Sequence, residues 1–149
     1  MRSNRVDRGC VLDSSVALAV SLEEPNGASA ARFIATQALG RVRLVAPPLF
    51  DMECASGFVK AVRRGRLAAE TCAAALVSTI QLPVERLQSP GAVFDALGLA
   101  LRYGISAYDA VYVALAAEER LPLVTADARL LRALAGSPHA VLHLDDVEL

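Results

Sequence analysis

The chain of 149 residues lacks several features on which common enzyme classes depend. It has no tryptophan, two histidines and a single lysine, Lys60, among its fifteen basic residues. The absence of a Gly-rich phosphate loop and of a Gly-x-Ser-x-Gly turn argues against nucleotide-cofactor enzymes and serine hydrolases. Its three cysteines have no Cys-x-x-Cys spacing, which argues against a zinc site and a disulfide framework and is typical of a reduced, cytoplasmic protein.

Long hydrophobic runs and a strong net charge are also missing. No uncharged apolar stretch reaches the roughly 18 residues that a membrane span needs, so we expect no membrane association. The net charge of −1 gives no global basic field. A hydrophobic content of 54% is nevertheless enough for a packed core. The length favours one domain over 1–149, with a flexible polar arm over 1–8.

Short apolar strands alternate with helical segments along the whole chain. This alternation predicts an α/β fold of three α/β/α layers around a short, mainly parallel central sheet. Predicted strands cover 10–12, 42–46, 123–125 and 141–144, with a weaker candidate over 83–87. Predicted helices cover 16–22, 28–39, 49–64, 68–81, 91–103, 107–119 and 128–134.

Four acidic residues at the ends of predicted elements are the candidate site residues. Asp13 directly follows the first strand, Asp127 follows a later strand, and Asp109 opens a later helix. Glu53 lies one turn into its helix, on an otherwise apolar face. Because parallel strands end at the edge where neighbouring helices begin, we expect these side chains to share one crevice.

Each aspartate also has a purely structural interpretation. Asp13 and Asp127 stand where helix caps are favoured, and Asp109 forms a near capping box with Ser106. The helix dipole likewise favours a carboxylate in a first turn. Capping does not explain Glu53, because a glutamate among apolar side chains is costly to bury without a positive partner.

Taken together, the four acids predict a metal site. Carboxylates that lie close together repel each other and take up protons unless a cation neutralises them. Oxygen ligands of this kind suit Mg²⁺ or Mn²⁺ rather than zinc. Magnesium held by acids is a common arrangement for hydrolysing phosphodiesters, because the metal activates a water and offsets charge on the attacked phosphate.

At these residues the chain resembles the PIN-domain family, and in particular the VapC-type toxin ribonucleases of bacterial toxin–antitoxin pairs. The resemblance implies an endoribonuclease that depends on Mg²⁺ or Mn²⁺ and acts on structured RNA such as tRNA or rRNA. It also implies a homodimer that is inhibited by a small antitoxin covering the acidic site. The matching segments, in the family's order, are VLDSSVALA (11–19), APPLFDMECASGF (46–58), YDAVYVALA (108–116) and LVTADARLL (123–131).

The resemblance also assigns roles to individual residues. Ser14 and Thr125 match hydroxyl positions that often support the acids or the metal. Ser56 stands where relatives commonly carry asparagine, and its hydroxyl is a substitute supporting group. The family's catalytic and metal-binding acids correspond to Asp13, Glu53, Asp109 and Asp127.

Two clusters of arginine are candidate RNA-binding residues. The denser cluster consists of Arg63, Arg64 and Arg66, and the second consists of Arg41 and Arg43. Arginines at these positions can hold RNA phosphates. The alternative for the first cluster is a solvated helix end whose arginines complement the C-terminal dipole.

Two other functions compete with a nuclease. An aspartate-based phosphatase would need a second nearby acid and a well-placed lysine, but Asp13 is followed by two serines and Lys60 lies near the wrong end of its helix. A catalytically silent RNA- or protein-binding domain is the other alternative, although the presence of all four acids argues against it. The Ala-rich helices over 28–39 and 68–81 are candidate dimer surfaces.

Overall fold

A wholly parallel sheet of five short strands forms the centre of the protein, in a computed structural model that describes residues 6–40 and 42–148. The strands are β1 (Cys10–Leu12), β2 (Leu44–Ala46), β3 (Val84–Arg86), β4 (Leu123–Thr125) and β5 (Val141–His143). Their order across the sheet is β3-β2-β1-β4-β5, so β1 lies in the middle between β2 and β4.

Seven α-helices connect and flank these strands in the described part of the chain. They are α1 (Ser14–Ser21), α2 (Gly27–Ala38), α3 (Leu49–Arg63), α4 (Cys72–Ile80), α5 (Ala92–Tyr103), α6 (Ala107–Glu119) and α7 (Ala128–Ala133). The predicted three-layer α/β/α architecture is confirmed. Across residues 6–40 and 42–148, no helix combines the length and the apolar character needed to cross a bilayer.

The three central strands are buried along their whole length, as their apolar sequences predict. All nine residues of β1, β2 and β4 are buried, which is the pattern of parallel strands covered on both faces. Large side chains from the helices complete the core, among them Phe33, Phe50, Phe58 and Tyr112. Because the central strands are buried and parallel, all of them end at one edge, which we call the carboxyl edge of the sheet.

The structure corrects the sequence-based elements at several boundaries. The helix predicted over 68–81 is divided into a 3₁₀ turn, Ala69–Thr71, and α4. The weak candidate over 83–87 is the edge strand β3, paired with β2. Helix α1 begins two residues earlier than predicted, because Asp13 occupies the N-cap position and the two serines form the first turn. In the arm predicted over 1–8, Val6 packs into the core, and residues 1–5 lie outside the described residues.

Removing a core ring from α3 should be costly. Phe58 is 2% exposed, and we expect Phe58→Ala to lower the free energy of unfolding by about 3 to 5 kcal/mol through lost burial and cavity formation. Urea denaturation measures the change. Met52→Ala, on the same helix at a side chain that is 73% exposed, is the control and should stay within about 0.5 kcal/mol of the wild type. Similar losses in both variants would contradict this packing.

Candidate active site

The fold brings the four predicted acids to the carboxyl edge. Asp13 follows β1, and its backbone N–H donates to the carbonyl oxygen of Val124 in β4 at 2.9 Å. Asp127 is the N-cap of α7, Asp109 lies in the first turn of α6, and Glu53 lies one turn into α3. The neighbouring strands and helix starts therefore converge on Asp13, which stands at the centre of the sheet.

Asp13 is buried and does not act as a helix cap. It is 5% exposed, and although it holds the N-cap position of α1 its side chain makes no capping hydrogen bond. Its Oδ2 instead accepts hydrogen bonds from Ser15 Oγ at 2.5 Å and from Thr125 Oγ1 at 2.8 Å. The capping interpretation is therefore wrong for this aspartate, because the carboxylate points into a polar network between β1 and β4.

The surroundings of Asp13 make a negative charge unfavourable there. Burial raises the pKa of Asp13, the hydrogen bonds from Ser15 and Thr125 lower it, and the charges of Asp109 and Asp127 raise it further. The net direction is upward. The carboxylates of α6 and α7 thus act on Asp13 through space, so the acids form one electrostatic unit.

Two hydroxyl groups fix this unit to the backbone. Ser15 Oγ accepts from the N–H of Ala126 at 2.9 Å, and Thr125 Oγ1 accepts from the N–H of Asp127, also at 2.9 Å. The sequence identified Thr125 but named Ser14, which is buried in the first turn of α1, and missed Ser15. The pairing of β1 with β4 places Ser15 next to this segment, and the local sequence does not reveal this long-range pairing.

Asp127 caps a helix, whereas Asp109 lies in the first turn of a helix that Ser106 caps. Asp127 Oδ1 accepts from the N–H of Arg129 at 2.8 Å and of Leu130 at 3.4 Å, while its Oδ2 lies 3.5 Å from the Arg129 guanidinium. The N–H of Asp109 donates to Ser106 Oγ at 3.0 Å, which is one half of a capping box. Asp109 and Asp127 therefore each belong to the start of a helix and to the acidic cluster at the same time.

Glu53 carries the least satisfied carboxylate of the four. Burial raises its pKa to about 7, the nearby Tyr112 hydroxyl lowers it, Asp13 and Asp109 raise it, and Lys60 lowers it. Glu53 Oε1 and Tyr112 Oη are nevertheless both buried without a hydrogen-bond partner of regular geometry in the described part of the chain. An unpaired buried carboxylate oxygen is costly, so this position favours a ligand that is not protein.

Carboxylate and hydroxyl oxygens fit a hard divalent cation, and the orphaned Glu53 oxygen marks a place where one would be stabilised. As the side chains stand, no three His, Cys, Asp or Glu residues within 6–40 and 42–148 form a ready-made metal cage. The donor chemistry of the four acids therefore fits a divalent cation, and their side chains as they stand do not form a complete coordination shell.

The remaining predicted site residues are spread over the molecule. Ser56 is exposed on α3. Arg43 lies where β2 begins, at the opposite edge of the sheet, and pairs with Glu85 at 2.9 Å and Glu119 at 3.7 Å. This placement separates Arg43 from the acids, and Arg41 lies outside the described residues. The other three predicted arginines lie at or just beyond the far end of α3: Arg63, Arg64 and Arg66.

Comparisons with known proteins agree on one family. Residues 10–136 match the PIN domain. Ribonuclease VapC9 of Mycobacterium tuberculosis is 41% identical over 120 residues, which cover 80% of this chain and 87% of that protein. PAE2754 from Pyrobaculum aerophilum has a similar structure, with a TM-score of 0.66 and 22% identity over 95% of this chain and 92% of that one. A toxin–antitoxin complex from Klebsiella pneumoniae aligns with a TM-score of 0.54 and 21% identity over 91% of this chain and 98% of that one.

The raised pKa of Glu53 predicts that the free energy of unfolding of the metal-free protein falls as the pH rises. An ordinary glutamate titrates at 4.5, whereas Glu53 in the folded protein titrates at about 7. The folded protein therefore binds this proton more tightly than the unfolded chain, and its stability falls as pH rises from 4.5 to 7. In EDTA at pH 8 we expect Glu53→Gln to raise the free energy of unfolding by about 1 kcal/mol, a figure reduced for screening at a partly exposed side chain.

Urea denaturation at pH 5 and pH 8 measures this effect. The variant should gain more over the wild type at pH 8 than at pH 5. Glu70→Gln, at an exposed site in the 3₁₀ turn, is the control and should behave as the wild type at both values. A Glu53→Gln protein that is less stable than the wild type at pH 8 would show that the ionised glutamate does not destabilise the folded protein.

Proposed function

This chain belongs to the PIN-domain family as a ribonuclease toxin of the VapC type, and on that premise we propose that it hydrolyses phosphodiester bonds of structured RNA, such as tRNA or rRNA, with Mg²⁺ or Mn²⁺ held by its four acids. The observation that carries the proposal is the orphaned, buried Glu53 oxygen beside the buried Asp13. Both carboxylates lie where an ionised group needs a positive partner.

The metal would be held by Asp13, Glu53, Asp109 and Asp127. When bound, such an ion supplies an activated water and offsets negative charge on the attacked phosphate. The chain's own contribution is to orient the acids. Ser15 and Thr125 both donate to Asp13 Oδ2, which fixes the carboxylate and, in the described part of the chain, leaves Oδ1 without a hydrogen bond.

The fixed ring of Tyr112 supports the second acid. Tyr112 is fully buried on α6, and burial followed by the Glu53 and Asp13 charges raises the pKa of its hydroxyl, so that it stays protonated. A protonated hydroxyl beside Glu53 helps to stabilise the ionised glutamate. Tyr112 therefore acts as a positioning residue for Glu53.

A small antitoxin is the partner that the family relationship supports. One structural relative is a toxin–antitoxin complex, and 91% of this chain aligns with it. We propose that the antitoxin covers the acidic cluster and keeps RNA away from it. The action of the free protein would then take place in the cytoplasm, where its RNA substrates are found.

A homodimer through α5 is the second association that we propose. Helix α5 exposes large apolar side chains at 93, 94, 97 and 101, which form one stripe because their spacing follows the helical repeat. Phe94 is 81% exposed, Leu101 is 79% exposed, and Tyr108 of α6 extends the stripe with 67% exposure. Such an apolar stripe suits a symmetric contact with a second copy. This stripe is larger than the one on α4, where Val77 and Ile80 are exposed, so we favour α5 over the Ala-rich helices as the dimer surface.

The nuclease proposal predicts that cutting depends on the acids and on metal. We expect the wild type to cleave total RNA in Mg²⁺ or Mn²⁺ and not in EDTA. Asp13→Asn and Asp109→Asn should each lower the rate at least about a hundredfold, because each removes charge that would hold the cation. The cut ends, mapped by sequencing, identify the target RNA.

Asp95→Asn is the matched control, since it removes an exposed carboxylate of α5 away from the cluster. It should cleave as the wild type does. Cleavage that persists in both Asp13→Asn and Asp109→Asn would contradict the proposed site. RNA that is bound but never cut, in any metal, would support the silent binding domain instead.

The dimer proposal predicts that a charge on α5 separates the two copies. We expect Leu97→Glu to shift the protein from dimer to monomer, because a carboxylate cannot be buried unpaired in an apolar contact. Size-exclusion chromatography with light scattering measures the mass. Val77→Glu, at a residue of α4 that is 54% exposed, should remain a dimer. A monomeric wild type, or a monomer produced only by Val77→Glu, would contradict the assignment.

A further inference from the structure

A groove lined by charged and apolar side chains runs between α1 and α3, from Asp127 of the acidic cluster to the far end of α3. It has a volume of about 460 Å³ and is lined near the cluster by Ser15 and Asp127 and at its other end by Arg64 and Arg66. We propose that this groove, called the α1–α3 groove below, holds a single strand of RNA next to the bond that is cut, with Lys60 and Arg64 binding its phosphates. The inference rests on the proposed nuclease function and extends it to the shape of the substrate.

One face of α3 connects the acid with the cations. Glu53, Gly57, Lys60 and Arg64 are spaced by four, three and four residues, so they lie along a single face of the helix. Gly57, Lys60 and Arg64 all line the groove. A strand whose scissile phosphate lies at the acidic cluster would therefore meet positive charge as it continues along α3.

Gly57 keeps the middle of the groove open. A Cβ atom at this position would lie 2.5 Å from Cδ1 of Leu18 on α1, which is closer than carbon atoms can approach. Any side chain there would displace Leu18, which itself lines the groove. The lack of a side chain at position 57 thus lets α1 and α3 approach while space remains above their contact.

The charge of the groove favours an anion. Four cations line it, Lys60, Arg64, Arg66 and Arg129, against the two acids Glu24 and Asp127. Arg66 pairs with Glu24 at 2.6 Å and Arg129 with Asp127 at 3.5 Å. Within residues 6–40 and 42–148, Lys60 and Arg64 form no ion pair, so their charges are available to phosphates.

The size of the groove favours one strand over two. The helices α1 and α3 are in contact at Leu18 and Gly57, and packed helices lie about 8 to 10 Å apart, so the groove between them is narrower than a base-paired RNA helix. The cut strand would therefore be unpaired where it lies in the groove, as in the loop of a folded RNA. Proteins commonly recognise structured RNA at such unpaired loops.

The test measures binding and cutting separately. In the full-length chain carrying Asp13→Asn, we would titrate a fluorescent 12-nucleotide single-stranded RNA, a 12-base-pair RNA duplex and a 12-residue polyglutamate, following fluorescence anisotropy at several salt concentrations. The double variant Lys60→Gln/Arg64→Gln should bind the single strand about tenfold more weakly. Its salt dependence should fall by about 1.4 in log–log slope, because each phosphate contact in a single strand contributes about 0.7.

The matched control is Arg102→Gln/Arg120→Gln, which removes two exposed arginines that do not line the groove. It should leave binding of the single strand unchanged. An equal loss in both double variants would overturn the proposal in favour of general charge attraction. Binding of the duplex as tightly as the single strand would overturn the single-strand geometry. Loss of polyglutamate binding with RNA binding intact would assign the groove to an acidic protein partner and overturn it as an RNA site.

Cleavage of total RNA by the protein without Asp13→Asn distinguishes failure of the groove proposal from failure of the nuclease proposal. A wild type that cuts RNA in a metal-dependent way, with Lys60→Gln/Arg64→Gln binding the single strand normally, would overturn the groove and leave the nuclease proposal standing. A wild type that neither cuts nor binds RNA would overturn the nuclease proposal and the groove with it. Weaker binding in the groove variant and unchanged binding in the control support the proposal.

Discussion

The repulsion between carboxylates gathered at one edge of a buried sheet is the constraint on which the rest of this site depends. Burial and the neighbouring charges of Asp109 and Asp127 raise the pKa of Asp13, and only two hydroxyl donors act in the opposite direction. Such an arrangement weakens the folded protein unless a positive ligand binds, so it is not one that stability alone would select. The cost of ionising Asp13 and Glu53 therefore favours the metal site that we propose.

Hydrogen bonds between the ends of β1 and β4 allow the fold to tolerate this repulsion. A backbone hydrogen bond joins Asp13 to Val124, Ser15 Oγ accepts from the N–H of Ala126, and Thr125 Oγ1 donates to Asp13 across the same junction. Both strands are wholly buried, so the backbone that carries Asp13 is fixed in the core. The apolar core thus holds the acids together against their own charge.

Much of the fold could be predicted because its signals are local. The apolar strands β1 and β4, the glycine at 104 that ends α5 with a φ of 65°, and the Ser106 cap of α6 are all readable from a few adjacent residues. The contact of Ser15 with Asp13 and Ala126 could not be predicted, because it depends on a strand pairing between segments about a hundred residues apart. Arg43 is different, because it stands at the start of a predicted parallel strand, and the predicted topology already places that end of the strand away from the acids.

Capping and function proved to be compatible interpretations rather than competing ones. In a parallel α/β fold, helices begin at the edge where strands end, so a residue suited to cap a helix also faces the crevice in which ligands bind. Asp127 does both. The same reasoning applies to α3, where Lys60 and Arg63 in the last turn complement the helix dipole while Glu53 lies near its start. Only the partners of the side chain separate the two roles. Asp13 occupies a cap position yet accepts hydrogen bonds from the hydroxyls of Ser15 and Thr125, and Glu53 Oε1 has no hydrogen bond of regular geometry within the described residues. A buried acid that is not used for capping is therefore a stronger indication of a site than its position alone.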